Sequence, residues 1–425
     1  MRHPNGQIEP GSPRARSARA IARLLCLPAL ALALSACGDD SPTAPDAPQR
    51  FVEVTAGAEH TCAATADRDV WCWGRARMGR LGFLSSVSPC TDDGRACLEP
   101  VPVGGGPLRD VDAGEEHNCA LSGGVAYCWG FDWRGQLGVG ETTTQRCGEV
   151  NPLLCSTAPL PVVLGNYVVD VTAGGSHSCA LDDNGRAYCW GLARMFQLGD
   201  GLDHDSTSIP SPVAGGHVFT QITAGASHTC AIDADADAWC WGANLDGRLG
   251  TGSTVARATP HRVRGDPNDP DPVRQAGLKW ALLDAGVAHT CGIDTGGVGW
   301  CFGRGDRGRI GNGEGLARTF PVPVATPRPL MDISAGETHS CALTADGEAW
   351  CWGGNESGQL GDGTLVDRLV PARVDTTLRF RQISAGWFHT CGLAEGGGVY
   401  CWGRNSWGQL GLGDTGARLT PQRII

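Results

Sequence analysis

The stretch Ala335 to Gly353, AGETHSCALTADGEAWCWG, decides the fold, because the same phrase returns seven times in a chain of 425 residues. Its histidine recurs at His60, His117, His177, His228, His289, His339 and His389, at intervals of 50 to 61 residues. Each is followed by a second cysteine inside a Trp/Tyr-Cys-Trp-Gly phrase, with Phe302 once replacing the tryptophan. Self-similarity at such a period marks a repeat architecture. One unit is a hairpin, repeated around something.

The hairpin follows from register. Ser340-Cys-Ala-Leu-Thr344 runs into a three-residue loop, Ala345-Asp346-Gly347, and returns as Glu348-Ala-Trp-Cys351. A loop of this length with glycine in the left-handed position closes with Thr344 opposite Glu348. Counting outward, Leu343 faces Ala349, Ala342 faces Trp350, and Cys341 falls opposite Cys351. The second copy is one residue shorter, and its two-residue Gly123-Gly124 turn pairs Ser122 with Val125 and again sets Cys119 opposite Cys128. Directly opposed residues have β carbons about 4.5 to 5.5 Å apart, and a disulfide needs roughly 3.5 to 4.5 Å. Modest pinching of each pair therefore predicts seven cross-strand disulfides: Cys62–Cys72, Cys119–Cys128, Cys179–Cys189, Cys230–Cys240, Cys291–Cys301, Cys341–Cys351 and Cys391–Cys401. The alternative is seven pairs of buried free thiols acting as small hydrophobes.

Of the 20 cysteines, six lie outside the hairpins. Cys90 with Cys97 and Cys147 with Cys155 form two close pairs, each within a longer inter-repeat segment. An even, locally paired set points to an oxidising compartment. Zinc would need four converging ligands, and the chain carries no Cys-x-x-Cys knuckle. No metal and no cofactor is expected.

The other two cysteines sit in the N-terminus. Arg14, Arg16, Arg19 and Arg23 precede an apolar run from Leu24 to Leu34, followed by Leu34-Ser-Ala-Cys37. A basic flank, an apolar run of about 11 residues and small residues at a cleavage point make a secretory signal peptide. The run is too short to span a bilayer, which takes about 20 apolar residues. Leu-Ser-Ala-Cys resembles the lipobox of bacterial lipoproteins, which implies cleavage before Cys37 and lipidation of that cysteine. An ordinary signal peptide with a coincidental cysteine is the alternative, and it exports the protein equally. The expected organisation is a signal peptide over 1–36, a lipidated cysteine with a Pro/Asp-rich tether over 37–50, and a repeat domain over 51–425. The product would be anchored in the cell envelope, on its periplasmic or its outer side, touching the membrane through the N-terminal lipid only.

Loss of residues 1–36 removes five arginines and one glutamate and leaves 29 basic and 44 acidic residues, a net charge of about −15. That favours solubility and argues against nucleic acid as a partner, because binding a phosphate backbone rests on clustered positive charge.

From Phe51 onward each period reads as four short strands bounded by Gly, Asp or Pro. In the last full unit they are A, 371–374; B, 380–384; C, 389–393; and D, 399–402. Four strands per 50-odd residues, seven times over, predict an all-β, seven-bladed β-propeller. A linear solenoid would need atypical caps at both ends. The chain enters on a B-type strand, Phe51-Val-Glu-Val-Thr55, and stops on an A-type strand, Thr420-Pro-Gln-Arg-Ile-Ile425. The expectation is a ring closed by pairing of the N- and C-terminal strands, with no exposed edge, and a monomer.

The phrases AGxxHxC, Asp/Asn-Gly, Tyr-Cys-Trp-Gly and Asn-x-x-Gly-Gln-Leu-Gly, the last as Asn355 to Gly361 and Asn405 to Gly411, resemble the regulator of chromosome condensation repeat family. The resemblance covers roughly 51–425 and implies a seven-bladed propeller, in agreement with the strand count. Arg77-Met-Gly-Arg-Leu81, Arg194-Met-Phe-Gln-Leu198 and Asp306-Arg-Gly-Arg-Ile310 depart from its last phrase, and Phe196 replaces the turn glycine.

Chemistry is thin. Seven equivalent histidines on seven blades cannot meet at one metal ion, whose ligands lie within about 2 Å of it. An imidazole that ties its own turn is the reading adopted. The ten motif tryptophans and Phe302 read as packing between blades. Turn aspartates such as Asp200 and Asp362 lack the alternating carboxylates of a calcium loop. The chain contains no Gly-x-Ser-x-Gly, phosphate loop or His-Glu-x-x-His, and no catalytic residue is assigned.

What differs between copies is more telling. In a four-strand meander the B–C and D–A connections leave from one end of the strands. That end collects both cysteine-pinned insertions and the large residues that do not repeat: Met78, Phe131, Trp133, Met195, Phe196, Trp387, Phe388 and Trp407, with Arg77 and Arg134 beside them. Exposed aromatics and Met near Arg mark protein-binding surfaces. In the alternative reading these residues fill the central mouth without a partner. The other end has its own acidic insertion, 266–272.

The function expected is a lipid-anchored, cell-envelope binding module that presents this end to a protein or glycan and carries out no catalysis. Secreted bacterial members of the family include β-lactamase inhibitors that bind through one propeller face, but no residue pattern carries that role over here. The alternatives are an enzyme, hydrolytic or other, with a site at the propeller axis, and a nucleotide exchange factor like the family namesake, which export and acidity disfavour. Replacing Trp387 and Trp407 by Ala is expected to weaken capture of a partner and leave the thermal transition almost unmoved.

Overall fold

The computed structural model describes residues 50–83, 90–91, 94–140, 146–147 and 153–424. The leader, the lipobox cysteine Cys37 and nearly all of the tether lie outside these residues. The described chain forms seven separate antiparallel sheets, and its one α-helix is the single turn Pro272–Ala276. Blade 1 consists of β1 (Phe51–Ala56), β2 (His60–Thr65), β3 (Val70–Arg75) and β4 (Ala96–Pro102), paired in that order. Blade 2 is built from β5 (Arg109–Ala113), β6 (His117–Ser122), β7 (Val125–Phe131) and β9 (Leu153–Pro161), with the two-residue β8 (Arg146–Cys147) added outside β9. Blades 3 to 7 begin at Val168, Phe219, Trp280, Leu330 and Phe380 and repeat the four-strand order.

Each hairpin keeps the register that its turn imposes. Cys341 pairs with Cys351, Ala342 with Trp350 and Leu343 with Ala349, closed by a 3.0 Å bond from Thr344 N–H to the Glu348 carbonyl. Gly347 supplies the left-handed residue at φ +78°. In blade 2, Gly123 and Gly124 both take positive φ, and Ser122 pairs with Val125, so the shorter turn still delivers Cys119 opposite Cys128. All seven hairpin disulfides are formed, with Cα atoms 4.1 to 4.2 Å apart. The two insertion disulfides, Cys90–Cys97 and Cys147–Cys155, are formed as well.

Closure of the ring differs from the expectation. Every blade is contiguous in sequence, in the order B, C, D and then the following A. The C-terminal strand Arg418–Arg423 therefore pairs with Val399–Gly403, and β1 pairs with β2, so the two termini share no sheet. Blade 1 finds its fourth strand in its own D–A connection, and none is missing for the C-terminus to supply. Blades 7 and 1 are joined by packing instead. Phe51, Val54 and Trp73 form one buried cluster with Cys391, Leu393, Leu410 and Ile424, as Val70 and Leu81 of blade 1 do with Leu108, Val111 and Trp129 of blade 2.

The second tryptophan of each Trp/Tyr-Cys-Trp phrase is fully buried: Trp73, Trp129, Trp190, Trp241, Trp352 and Trp402, with Phe302 in the fifth blade. Burying an indole removes roughly 200 Å² of surface, on the order of 5 kcal/mol before entropy is counted. Blade 5 compensates for its smaller ring. Where the other blades place Phe51, Leu108, Val168, Phe219, Leu330 or Phe380, it places Trp280, which meets Phe302 edge-on at 6.3 Å. The adjacent Gly292 stands where most blades have Ala, and a Cβ there would come within 2.8 Å of the Trp280 ring. Phe302→Trp is therefore expected to overpack this junction and to cost about 1 to 3 kcal/mol. Adding Trp280→Leu should restore most of that loss in a denaturant titration. Additive losses in the double variant would show that the two volumes are not exchanged.

The turn at Phe196 survives its substitution. Phe196 adopts φ +62°, close to the +81° of Gly358 in the same position. It keeps both turn bonds, Phe196 N–H to the Ala193 carbonyl at 2.7 Å and Gly199 N–H to the Phe196 carbonyl at 3.1 Å. At Gly358 a Cβ would run into Leu419 of the next blade. The residue equivalent to Leu419 after Phe196 is the small Ala258.

Candidate functional site

The seven histidines tie each blade to the next. The Nε2 atoms of His60, His117, His177, His228, His289, His339 and His389 lie 2.7 to 2.9 Å from the side-chain oxygens of Asn118, Ser178, Thr229, Thr290, Ser340, Thr390 and Thr61. Each partner belongs to the next blade. Each of those hydroxyls, and the Asn118 amide, donates in turn to a backbone carbonyl of the histidine's own blade, such as Thr390 to Gln359 at 2.8 Å and Asn118 to Arg80 at 2.7 Å. The Trp402 indole N–H donates to the same Gln359 carbonyl at 3.0 Å. Since the hydroxyl proton is used on the carbonyl, the hydroxyl accepts from an Nε2–H, and the buried Nδ1, with no acceptor for a second proton, leaves the ring neutral. Blade 7 grips blade 1 by the same latch: His389 on Thr61, with Thr61 and Trp73 on the Gln409 carbonyl. This latch closes the ring in place of strand exchange.

Burial holds these imidazoles far below the ordinary histidine range. His60, His177, His339 and His389 are lowered to about 3 and His117 to about 4, with His228 and His289 well below the usual value. Their Nδ1 atoms are buried without a hydrogen-bond partner. A Cβ on Gly57, Gly174, Gly225 or Gly386 would collide with the ring three residues on, which is why the phrase reads AGxxH. The histidine is legible in the sequence as a tie within its own turn, but its acceptor lies in the next blade. The signal was present, because Thr, Ser or Asn follows the histidine in every copy.

At the axis, carboxylates do converge. A cavity of about 130 Å³ is lined by the innermost strands and includes Glu53, Asp112, Asp284 and Asp332. These side chains serve the backbone. Asp112 accepts from Thr172 Oγ1 at 2.7 Å and Ala173 N–H at 2.9 Å, Asp284 from Ala335 N–H at 2.8 Å, and Asp332 from Ile383 N–H at 2.9 Å. Gln382 takes the Val54 N–H at 3.0 Å across the closing junction. An inner strand would otherwise present unpaired amides to the channel, and each blade caps the next. Among the described residues no three His, Cys, Asp or Glu side chains are grouped to hold a metal ion.

The mouth at the B–C end is a backbone ring. Glu115 N–H donates to the Gly174 carbonyl at 3.2 Å, Val287 N–H to Gly336 at 3.2 Å and Gly175 N–H to Gly225 at 3.2 Å. Trp387 and Glu115 line this mouth. Burial, with Glu116 and Glu337 adding repulsion, raises the Glu115 carboxyl to about 7.

The proposed face residues are dispersed around this end. Trp133 is 58% exposed and Met195 43%. Arg134 stacks on Trp133 at 4.4 Å, and the buried Phe131 ring lies 6.4 Å away. Met78 and Phe196 are half-buried in their turns, and Trp387 is half-buried at the mouth. Phe388 lies under Arg404 at 5.4 Å. Trp407 is tied across the closing junction, donating to Glu59 at 3.2 Å with Arg75 over its ring at 4.8 Å. Trp407→Ala would thus loosen the junction between blades 7 and 1, so the pairing of Trp387 with Trp407 does not isolate binding from stability. Trp133 is the better partner for Trp387 in such a test.

The model of the RCC1-like domain matches residues 156–425, and models of the regulator of chromosome condensation (RCC1) repeat match 51–80 and 123–181. The chain belongs to the RCC1-like domain family. Among curated proteins, this RCC1-like chain is 30% identical over 65% of its length to the ultraviolet-B receptor UVR8 of Arabidopsis thaliana, and 30% identical over 64% to the human E3 ubiquitin-protein ligase HERC2. It spans 58% of the first protein's length and 5% of the second's. Yeast RCC1 (Prp20), in its crystal structure with Kap60, superposes on the RCC1-like propeller with a TM-score of 0.70 at 19% identity, covering 93% of this chain and 91% of that one. Human WBSCR16 does so with a TM-score of 0.69 at 23% identity, covering 82% and 88%. These likenesses concern the fold.

Proposed function

We propose that the chain is an exported, lipid-anchored interaction module of the cell envelope, which docks a protein or glycan through the B–C and D–A end of its propeller and carries out no chemistry of its own. One observation carries the docking reading. The latch repeats in all seven blades, while the side chains around it at this end differ from blade to blade and leave Trp133 and Met195 in solvent. A frame held constant with a varied, partly apolar crown suits recognition, and interfaces favour Trp, Met and Arg. Nine disulfides suggest an oxidising environment, which agrees with an exported chain. Among the described residues no helix is long and apolar enough to cross a membrane. Cys37, after its apolar run, supports attachment by lipid.

Two measurements test the reading. Labelled palmitate fed to the producing cells should enter the full chain and be lost in Cys37→Ser; equal labelling of both would remove the anchor. The full chain in detergent should retain an envelope component from solubilised extracts, and Trp133→Ala with Trp387→Ala should reduce capture at least tenfold while Tm shifts by no more than a few degrees. Undiminished capture would place the docking surface elsewhere.

A further inference from the structure

The D–A turns place two side chains per blade at equivalent outward positions. In chain order the pairs are Arg77-Met78, Trp133-Arg134, Arg194-Met195, Leu245-Asp246, Asp306-Arg307, Glu356-Ser357 and Ser406-Trp407. One contact shows how neighbouring turns meet. Arg307, second in blade 5, reaches Glu356, first in blade 6, at 2.7 Å. Trp407, second in blade 7, likewise reaches Glu59 and Arg75 of blade 1, so the second position of one blade leans toward the next blade. By equivalence Met78 leans toward blade 2, which carries Trp133, Arg134 toward blade 3, which carries Arg194, and Met195 toward blade 4, which carries Leu245. Leu245 is 73% exposed, Trp133 58% and Met195 43%.

An arc over blades 1 to 4 thus alternates an apolar junction, a doubly basic one and a second apolar one. The chain around it is strongly acidic. The basic junction already holds a carboxylate: Asp205 takes both Arg194 nitrogens at 2.8 and 2.9 Å. Arg134 also helps to hold Asp205 below the usual carboxylate range, after the hydrogen bond and charge of Arg194. Asp205 is solvent-exposed, and an exposed ion pair is weak, so a carboxylate brought in by a partner competes with it. On blades 4 to 6 the same positions carry Asp246, Asp306 and Glu356, each already paired with an arginine.

We propose that this arc docks a polypeptide segment that presents an acidic side chain between two apolar ones, the carboxylate entering between Arg134 and Arg194 and the apolar groups meeting Trp133 with Met78 and Leu245 with Met195. The proposal rests on the docking end inferred above and names its partner's chemistry. A displayed library of random peptides selected on the immobilised full chain tests it. Enriched sequences should carry Asp or Glu flanked by Leu, Phe or Trp, and their affinity should fall with salt. Arg134→Glu with Arg194→Glu should weaken them at least tenfold, and Leu245→Ser severalfold, with Tm unchanged in both. Val218→Ser, at the opposite end of the propeller and 53% exposed, should leave them within twofold. Basic or uncharged winners, or acidic winners indifferent to the arginine substitutions, overturn the arc. Peptides lost only on Trp387→Ala move docking to the mouth, sinking the arc while the docking end stands. Selection of no peptide at all overturns both readings for a protein partner.

Discussion

Lowering the pH from 7 to 5 is expected to unfold this propeller at ordinary temperature, or to lower its Tm by tens of degrees. Seven imidazoles are buried neutral, with folded pKa values of about 3 to 4 where a number can be given, whereas an unfolded histidine titrates near 6.5. A depressed folded pKa means that unfolding takes up protons once the pH falls below about 6.5. Stability then drops with falling pH until the folded values are reached. At pH 5 each of the five with such a value contributes about 2 kcal/mol of destabilisation, on the order of 10 kcal/mol together, and His228 and His289 act in the same direction. That equals the whole stability of a typical domain, about 5 to 15 kcal/mol. Glu115 works in the opposite sense. Its folded pKa is raised, so its contribution is present at low pH and lost as the pH rises through about 7. It is one group against seven. Calorimetry at pH 7, 6 and 5 reads the slope, and His339→Gln should reduce the proton uptake on unfolding by one. A Tm that stays level down to pH 5 would rule out seven neutral, latched rings.

The second large effect lies in the disulfides. A hairpin disulfide here closes a loop of 9 or 10 residues, and the entropy removed from the unfolded chain stabilises the fold by about 3 kcal/mol for each. Removing one pair, as Cys341→Ala with Cys351→Ala, should lower the unfolding free energy by about that amount. Removing all seven, on the order of 20 kcal/mol, should leave a chain that does not fold. All fourteen hairpin cysteines have no solvent exposure, so a thiol reductant should reach them only as fast as the ring unfolds. Rapid reduction with an unchanged near-ultraviolet spectrum would mean that the hairpins breathe independently and that the staples contribute little.

Both effects trace to the repeated phrase, and much of the molecule was legible in it. The hairpin register followed from turn length and glycine placement, because a two- or three-residue loop leaves a single set of cross-strand partners. From that register came the Cys341–Cys351 and Cys119–Cys128 pairings, and from the spacing of the phrase came seven blades. Local backbone geometry sufficed for all of it. The Trp-Cys-Trp tryptophans were legible as packing for the same reason: alternation along a strand assigns them a face.

What only the tertiary structure decided concerns contacts between blades, where residues some 50 positions apart meet and no local rule applies. The repeat region opens on a B strand and closes on an A strand, a pattern equally compatible with a shared closing sheet and with seven contiguous blades. The choice fell to packing, since the His389, Thr61 and Gln409 latch closes the last junction as it closes the other six. The same holds for the outward crown. The chain order of Met78, Trp133, Arg134, Met195 and Leu245 says nothing of adjacency; neighbouring turns meet only because the blades pack side by side around an axis. Composition and periodicity therefore determined the wheel and its staples, while which side chains on its rim stand together was settled by the distance between blades.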